Sequence, residues 1–213
     1  MSEFTILFNR HGIVVVISWV VVAIIALISA VVICWGLFAK RRRFSELEIS
    51  ETELGIGSQK IKIKPNYQDV QIAYKLWVEV STRKIGLPID LEHDVIVEIY
   101  NSWYEFFRVT RELIKEIPAN KIRSSPSTEK LVRVAVEVLN EGLRPHLTSW
   151  QARFRKWYER ELKREEAAEL ASQDLQKGFP KYEELVADMK AVNRRLIHYR
   201  EVLGRIALEK HPI

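Results

Sequence analysis

From Ile13 to Phe38 the chain runs through 26 residues without a charged side chain, and Lys40, Arg41, Arg42 and Arg43 close the run. A helix rises about 1.5 Å per residue and the hydrocarbon core of a bilayer is about 30 Å thick, so roughly 20 apolar residues suffice to cross it. Seventeen of the 26 are Val, Ile, Leu or Phe, residues that favour insertion when they lie near a helix centre. The composition therefore predicts one transmembrane helix over residues 13–38. Trp19 and Trp35 fall toward its two ends, where aromatic rings prefer the headgroup boundary. A cleaved signal peptide would have a shorter apolar core and a small-residue cleavage site, which this run lacks. Cys34 is the only cysteine, so no intrachain disulfide is possible.

Orientation follows from the positive residues beside the span: Arg10 precedes it, while Lys40, Arg41, Arg42 and Arg43 follow it. The expectation is a single-pass protein of the plasma (bacterial inner) membrane. A short tail, residues 1–12, would lie outside and everything after Lys40 in the cytoplasm, with the lipid bilayer as one partner. The lack of cysteine after residue 43 suits a reducing compartment.

The formal charge of +5 resides mostly in this basic cluster. Setting aside Arg10 and the four-residue cluster from 33 basic residues, and Glu3 from 28 acidic ones, leaves 28 against 27 over residues 44–213. That balance gives no global electrostatic argument for nucleic acid.

Two short alternating segments follow the cluster within residues 39–64. Glu46-Leu47-Glu48-Ile49-Ser50 is acidic and Lys60-Ile61-Lys62-Ile63-Lys64 is basic, with Gly55 and Gly57 between them. Pairing Ile49 with Ile61 sets Glu48 opposite Lys62 and Glu46 opposite Lys64, so charge and the apolar face agree on one hairpin register. The competing reading is a charged flexible spacer.

From Asn66 the period changes from 2 to 3.6, which predicts a mainly α architecture over residues 65–213. Asn66 with Asp69 marks a helix start, and Gly86-Leu87-Pro88 ends that helix. Asp90 is read as the cap of a second helix running to Pro118, with Val95, Ile99, Trp103, Phe106, Thr110, Leu113 and Ile117 on one face. Ser124 to Ser127 reads as a loop, and a third helix begins near Thr128. Gly142 and Pro145 are expected to interrupt it before a fourth segment carrying Leu147, Trp150, Phe154, Trp157 and Leu162.

The last helix has the most regular pattern. Tyr182, Leu185, Met189, Val192, Leu196, Tyr199, Leu203 and Ile206 alternate spacings of three and four, a heptad seam of the coiled-coil type. Such a seam packs either inside its own chain's bundle or against a partner. On the second alternative Met189, Val192, Leu196, Tyr199, Leu203 and Ile206 are the partner-binding residues, and a homo-oligomer or a cytoplasmic protein is the partner.

No reaction is named by any motif. Asp90, Glu92, His93 and Asp94 suit the first turn of a helix better than a metal site. The histidines show no i, i+4 pair, and a cysteine-based zinc site is excluded. No phosphate loop or dinucleotide fingerprint is present. The expectation is no metal, no cofactor and no catalytic residue. One stripe exceeds the neutral average: Arg144, Arg153, Arg155, Lys156, Arg160, Lys163 and Arg164, interleaved with Trp150, Phe154, Trp157 and Tyr158. Basic residues among aromatics bind phosphates and stack bases, although these aromatics also fit a helical core. A second basic run, Lys190, Arg194, Arg195, Arg200, Arg205 and Lys210, lies on the last helix. The leading expectation is a membrane-anchored scaffold that self-associates or recruits a partner. The alternative is a membrane-tethered component responsive to nucleic acid or nucleotide.

Overall fold

The computed structural model describes residues 5–9, 12–16, 19–39 and 46–208, and the chain divides into two compact units, residues 1–43 with Ile213 and residues 44–212. In the first unit, strand β1 (Thr5–Asn9) pairs antiparallel with β2 (Gly12–Val16), Thr5 opposite Val16 and Asn9 opposite Gly12. Helix α1 (Trp19–Ala39) follows. This corrects the expected 26-residue span. Gly12–Val16 is rich in β-branched residues, which favour a strand, and the strand removes them from the helix. Among the described residues, no helix is long and apolar enough to cross a membrane. The single-pass, N-terminus-outside assignment is therefore withdrawn. Lys40, Arg41, Arg42 and Arg43, assigned to membrane orientation, lie outside the described residues.

The second unit joins the hairpin and the helices. β3 (Leu47–Ser50) pairs antiparallel with β4 (Lys60–Ile63), Glu48 opposite Lys62 and Ile49 opposite Ile61, the register that charge and apolar alternation predict. Lys60 closes an ion pair to Glu48 at 2.8 Å. The apolar face of the hairpin, Ile49, Ile61 and Ile63, is buried in the common core, which is how a two-stranded ribbon that is marginal alone becomes stable. The connection contains a single helical turn, α2 (Glu51–Leu54), and Gly55 at φ +70°, a left-handed conformation that favours glycine.

Helix α3 (Tyr67–Ser81) begins with the predicted capping box: Asn66 accepts from the amides of Gln68 and Asp69, and Asp69 accepts from the amide of Asn66. Helix α4 (Ile96–Lys115) starts later than expected, because Asp90 closes a local turn with His93 and Asp94 instead of capping it. Val95 has no capping side chain. The first amide of α4, Ile96 N–H, donates 2.8 Å to the side-chain oxygen of Gln176, whose amide nitrogen donates 3.0 Å to Asp94 O. A fully buried residue 80 positions away thus does the cap's work.

The serine segment expected as a loop holds two helix ends, α5 (Ala119–Ser124) and α6 (Pro126–Glu137), the latter with Ser125 as cap and Pro126 at its first turn. Gly142 and Pro145 do not interrupt the helix that follows. The chain continues through a π-turn (Val138–Leu143), α7 (Arg144–His146), a second π-turn (Leu147–Gln151) and α8 (Ala152–Glu161). Pro145 has no N–H to give the preceding turn and its ring crowds the carbonyl four residues back; the wider π-turns on either side absorb this. After α9 (Ser172–Leu175), helix α10 (Tyr182–Leu208) crosses the body, packed chiefly on α3.

The heptad seam is consumed in that packing. Met189, Val192, Leu196, Tyr199, Leu203 and Ile206 are buried against the chain's own core. Their assignment as partner-binding residues is corrected: intrachain bundles use the same spacing, and α10 packs on α3 and on the α2 turn of the hairpin connection.

Candidate functional site

Between α4 and the helical segment from Val138 to Glu161 lies a groove of three adjoining recesses of about 270, 330 and 240 Å³. Tyr104 and Gln151 line both the first and the second recess, and Phe107, Arg111 and Arg144 line both the second and the third. From Asn101 to Lys115 the groove follows α4 for about 21 Å, four turns of helix.

Its floor is mixed aromatic and aliphatic, with Phe107, Leu147, Ile114 and Leu139 along it. Arg144 lies over Phe107 with its guanidinium carbon 4.9 Å from the ring centroid, a cation–π contact, and also donates to Asn140 Oδ1 at 3.0 and 3.2 Å. At one end Arg155 donates 3.0 Å to Asn101 Oδ1. Arg108 forms a two-pronged pair with Glu105 at 2.6 and 2.9 Å, which holds the Glu105 carboxyl below its ordinary range. Lys115 pairs with Glu112 at 2.9 Å. Arg111, between them, makes no hydrogen bond or ion pair among the described residues. The groove therefore presents five cations, of which Arg111, Arg144 and Arg155 make no ion pair among the described residues.

Under the groove sits a buried polar relay. His146, in the short α-turn between the two π-turns, donates from Nδ1 to Asp188 Oδ2 at 2.8 Å, and its Nε2 lies 3.2 Å from the Tyr100 hydroxyl. Trp150 Nε1 donates 3.0 Å to the same Asp188 oxygen. Burial pushes the His146 imidazole below its ordinary range, against the opposing pull of Asp188, and pushes the Tyr100 hydroxyl up. Tyr100 and His146 are each 1% exposed. The relay pins α4, the π-helical segment and α10 together under the groove.

The predicted basic stripe is divided. Arg144 and Arg155 face the groove. Arg160 and Arg164 both close on Glu161, at 2.8 and 2.7 Å. Arg153, Lys156 and Lys163 are exposed and have no hydrogen bond or ion pair among the described residues. Phe154 and Tyr158 are buried and Trp157 packs against Phe154 and Phe179, so the interleaved rings serve the core. Asp90, Glu92 and His93 bring donor atoms within 4.8 Å of one another, all exposed. His93 and Asp90 already satisfy each other at 2.7 Å, which raises the imidazole above and lowers the carboxyl below its ordinary range.

Sequence reasoning missed Tyr104, Phe107, Arg108 and Arg111. Their signal was there, since the spacings i, i+3, i+4 and i+7 make one helix face. The neighbouring face of Trp103, Phe106 and Thr110 absorbed the attention because it is the core face, as the burial of all three shows. Comparison with protein-family models, with curated proteins and with solved structures finds no match to this chain.

Proposed function

We propose that this chain is a helical interaction module that recruits a partner protein by seating an acidic amphipathic helix of that partner in the groove between α4 and the π-helical segment. The observation that carries this reading is Arg111: its guanidinium feels the neighbouring Glu112 carboxylate but makes no hydrogen bond or ion pair among the described residues, and it is central in a groove lined by Arg108, Arg144 and Arg155. Helix-in-groove recognition needs apolar anchors on the floor and complementary charge on the rims. Phe107, Leu147, Ile114 and Leu139 supply the first and the arginines the second. The length of about 21 Å suits a helix of about 15 residues.

The alternative reading, nucleic acid, has less support. Arg144 covers a face of Phe107, the floor is largely aliphatic, and the domain's charge is balanced, whereas single-strand binding relies on free aromatic faces along a continuous basic track. The test is fluorescence polarisation of the full chain with a labelled acidic helical peptide of about 15 residues carrying leucines at i, i+3, i+4 and i+7, beside a labelled oligothymidine. Arg111→Glu is expected to weaken peptide binding about tenfold or more, 1.4 kcal/mol per decade, while Arg153→Glu leaves it unchanged. Equal loss in both variants, or preference for the oligothymidine with a steep salt dependence, overturns the proposal.

A further inference from the structure

A second recess lies on a different face of the same unit, where α10 passes the hairpin connection. It is open, about 530 Å³, and is lined by Glu53, Ala191, Arg194, Arg195 and His198. Residues 191, 194, 195 and 198 stand at i, i+3, i+4 and i+7, so one stripe of α10 carries all three cationic or ionisable groups.

Arg195 is only partly exposed, yet it forms no hydrogen bond or ion pair among the described residues. It is placed by packing: its side chain lies across Gly55, where a Cβ would run into it, and Gly55 holds φ +70°. The left-handed glycine therefore does two things, turning the chain and clearing the bed on which the guanidinium rests. Arg194, exposed beside it, is likewise without a partner among the described residues. One turn further on, His198 Nε2 lies 2.9 Å from Glu53 Oε2 and its Nδ1 3.6 Å from Glu201 Oε2. The contact to Glu53 is poorly aligned, so the shielded Nε2 has no true hydrogen bond. Glu53 itself is 61% exposed.

A partly desolvated guanidinium fixed by its surroundings, with its N–H fork unused, is the arrangement that recognises a tetrahedral oxyanion by two parallel hydrogen bonds. A second arginine and an imidazole beside it exceed what one carboxylate would engage. From this geometry we infer that the recess binds the phosphate or diphosphate group of a small molecule, held by Arg195 and Arg194, with the anion taking the place beside His198 that the Glu53 carboxylate now occupies. The carboxylate is then a built-in competitor, and removing its charge strengthens binding.

The experiment is titration calorimetry of the full chain at constant ionic strength, with inorganic phosphate, pyrophosphate and ADP in separate arms and sulfate as the control anion. Saturable binding of pyrophosphate is expected. Arg195→Ala weakens it about tenfold or more, as loss of a charged hydrogen-bond donor does, and Glu53→Gln tightens it. The tightening keeps the test sound, because a folding defect cannot raise affinity. ADP binding more tightly than pyrophosphate identifies a nucleotide as the source of the phosphate; equal affinities identify the inorganic group. Absence of saturable binding in all arms, equal response to sulfate, or an unchanged affinity in Glu53→Gln overturns the assignment. None of these outcomes bears on the groove beside α4, which this recess does not share.

Discussion

Asp69 offers the sharpest energetic test of how the helical body is held. Its carboxylate is fully buried and sits where the first turns of α3 and α6 meet. It accepts from the Asn66 amide at 2.8 Å and from the hydroxyls of Ser127 and Thr128 at 2.6 Å each. Asn66 in turn donates 2.9 Å to Ser125, the cap of α6. Asp69→Ala leaves three donors without their acceptor, that of Thr128 fully buried. Hydrogen bonds to a charged acceptor contribute roughly 1.5–3 kcal/mol each, and these three share one carboxylate, so their losses do not add fully. Breaking a buried charged network by removing one partner costs about 3–5 kcal/mol, and we expect a value in that range, a large part of the roughly 5–15 kcal/mol that stabilises most domains. Asp69→Asn keeps one acceptor and is expected to cost about 1.5–3 kcal/mol. The measurement is urea unfolding of the full chain followed by circular dichroism, with ΔΔG taken from the midpoint at constant m. Thr128→Val in the Asp69→Ala background should cost about 1 kcal/mol less than it does in the native chain, since its partner is already gone. A loss below about 0.5 kcal/mol for Asp69→Ala, the range of ordinary surface substitutions, would refute the clasp.

Two further outcomes test the core and the relay. Leu203 is fully buried, so Leu203→Ala should destabilise by about 2–5 kcal/mol, read from the same unfolding curves; a polar substitution there that leaves the helical signal intact would show that the seam is not core. For His146, burial lowers the folded-state pKa. Below about pH 6.5 the unfolded chain therefore takes up a proton that the folded chain resists, and stability falls as pH drops. His146→Gln should flatten the stability profile between about pH 8 and 5.5 relative to the native chain. His93, whose pKa is raised by Asp90, acts with the opposite sign in both proteins, losing its contribution as pH rises, so the difference between the two profiles isolates His146. Superimposable profiles would exclude the relay from the pH response.

Local interactions were legible in the sequence because they are settled within a few residues. The hairpin register follows from alternation and charge between two short segments, and both choose the pairing of Ile49 with Ile61. The start of α3 follows from Asn66 and Asp69, three residues apart. The heptad spacing of α10 correctly groups the residues that share a face.

What each face meets was decided by tertiary structure. Periodicity states that Leu196 and Leu203 lie together, and is silent on whether α3 or another molecule covers them. A cap supplied by Gln176 to Ile96 leaves no mark near α4, so Asp90 looked the better candidate. Gly142 and Pro145 read as a break because α-helical rules disfavour them, whereas the chain passes them in π-turns on either side of α7. Apolarity alone gave residues 13–38 to one helix, but strand pairing took residues 13–16 from it. The groove and the α10 recess depend on side chains from segments dozens of residues apart, Arg111 with Arg144 and Glu53 with Arg195. Sequence determines which groups a chain can place on one face; only the packing of those faces fixes which groups are left without partners, and that remainder is what a ligand meets.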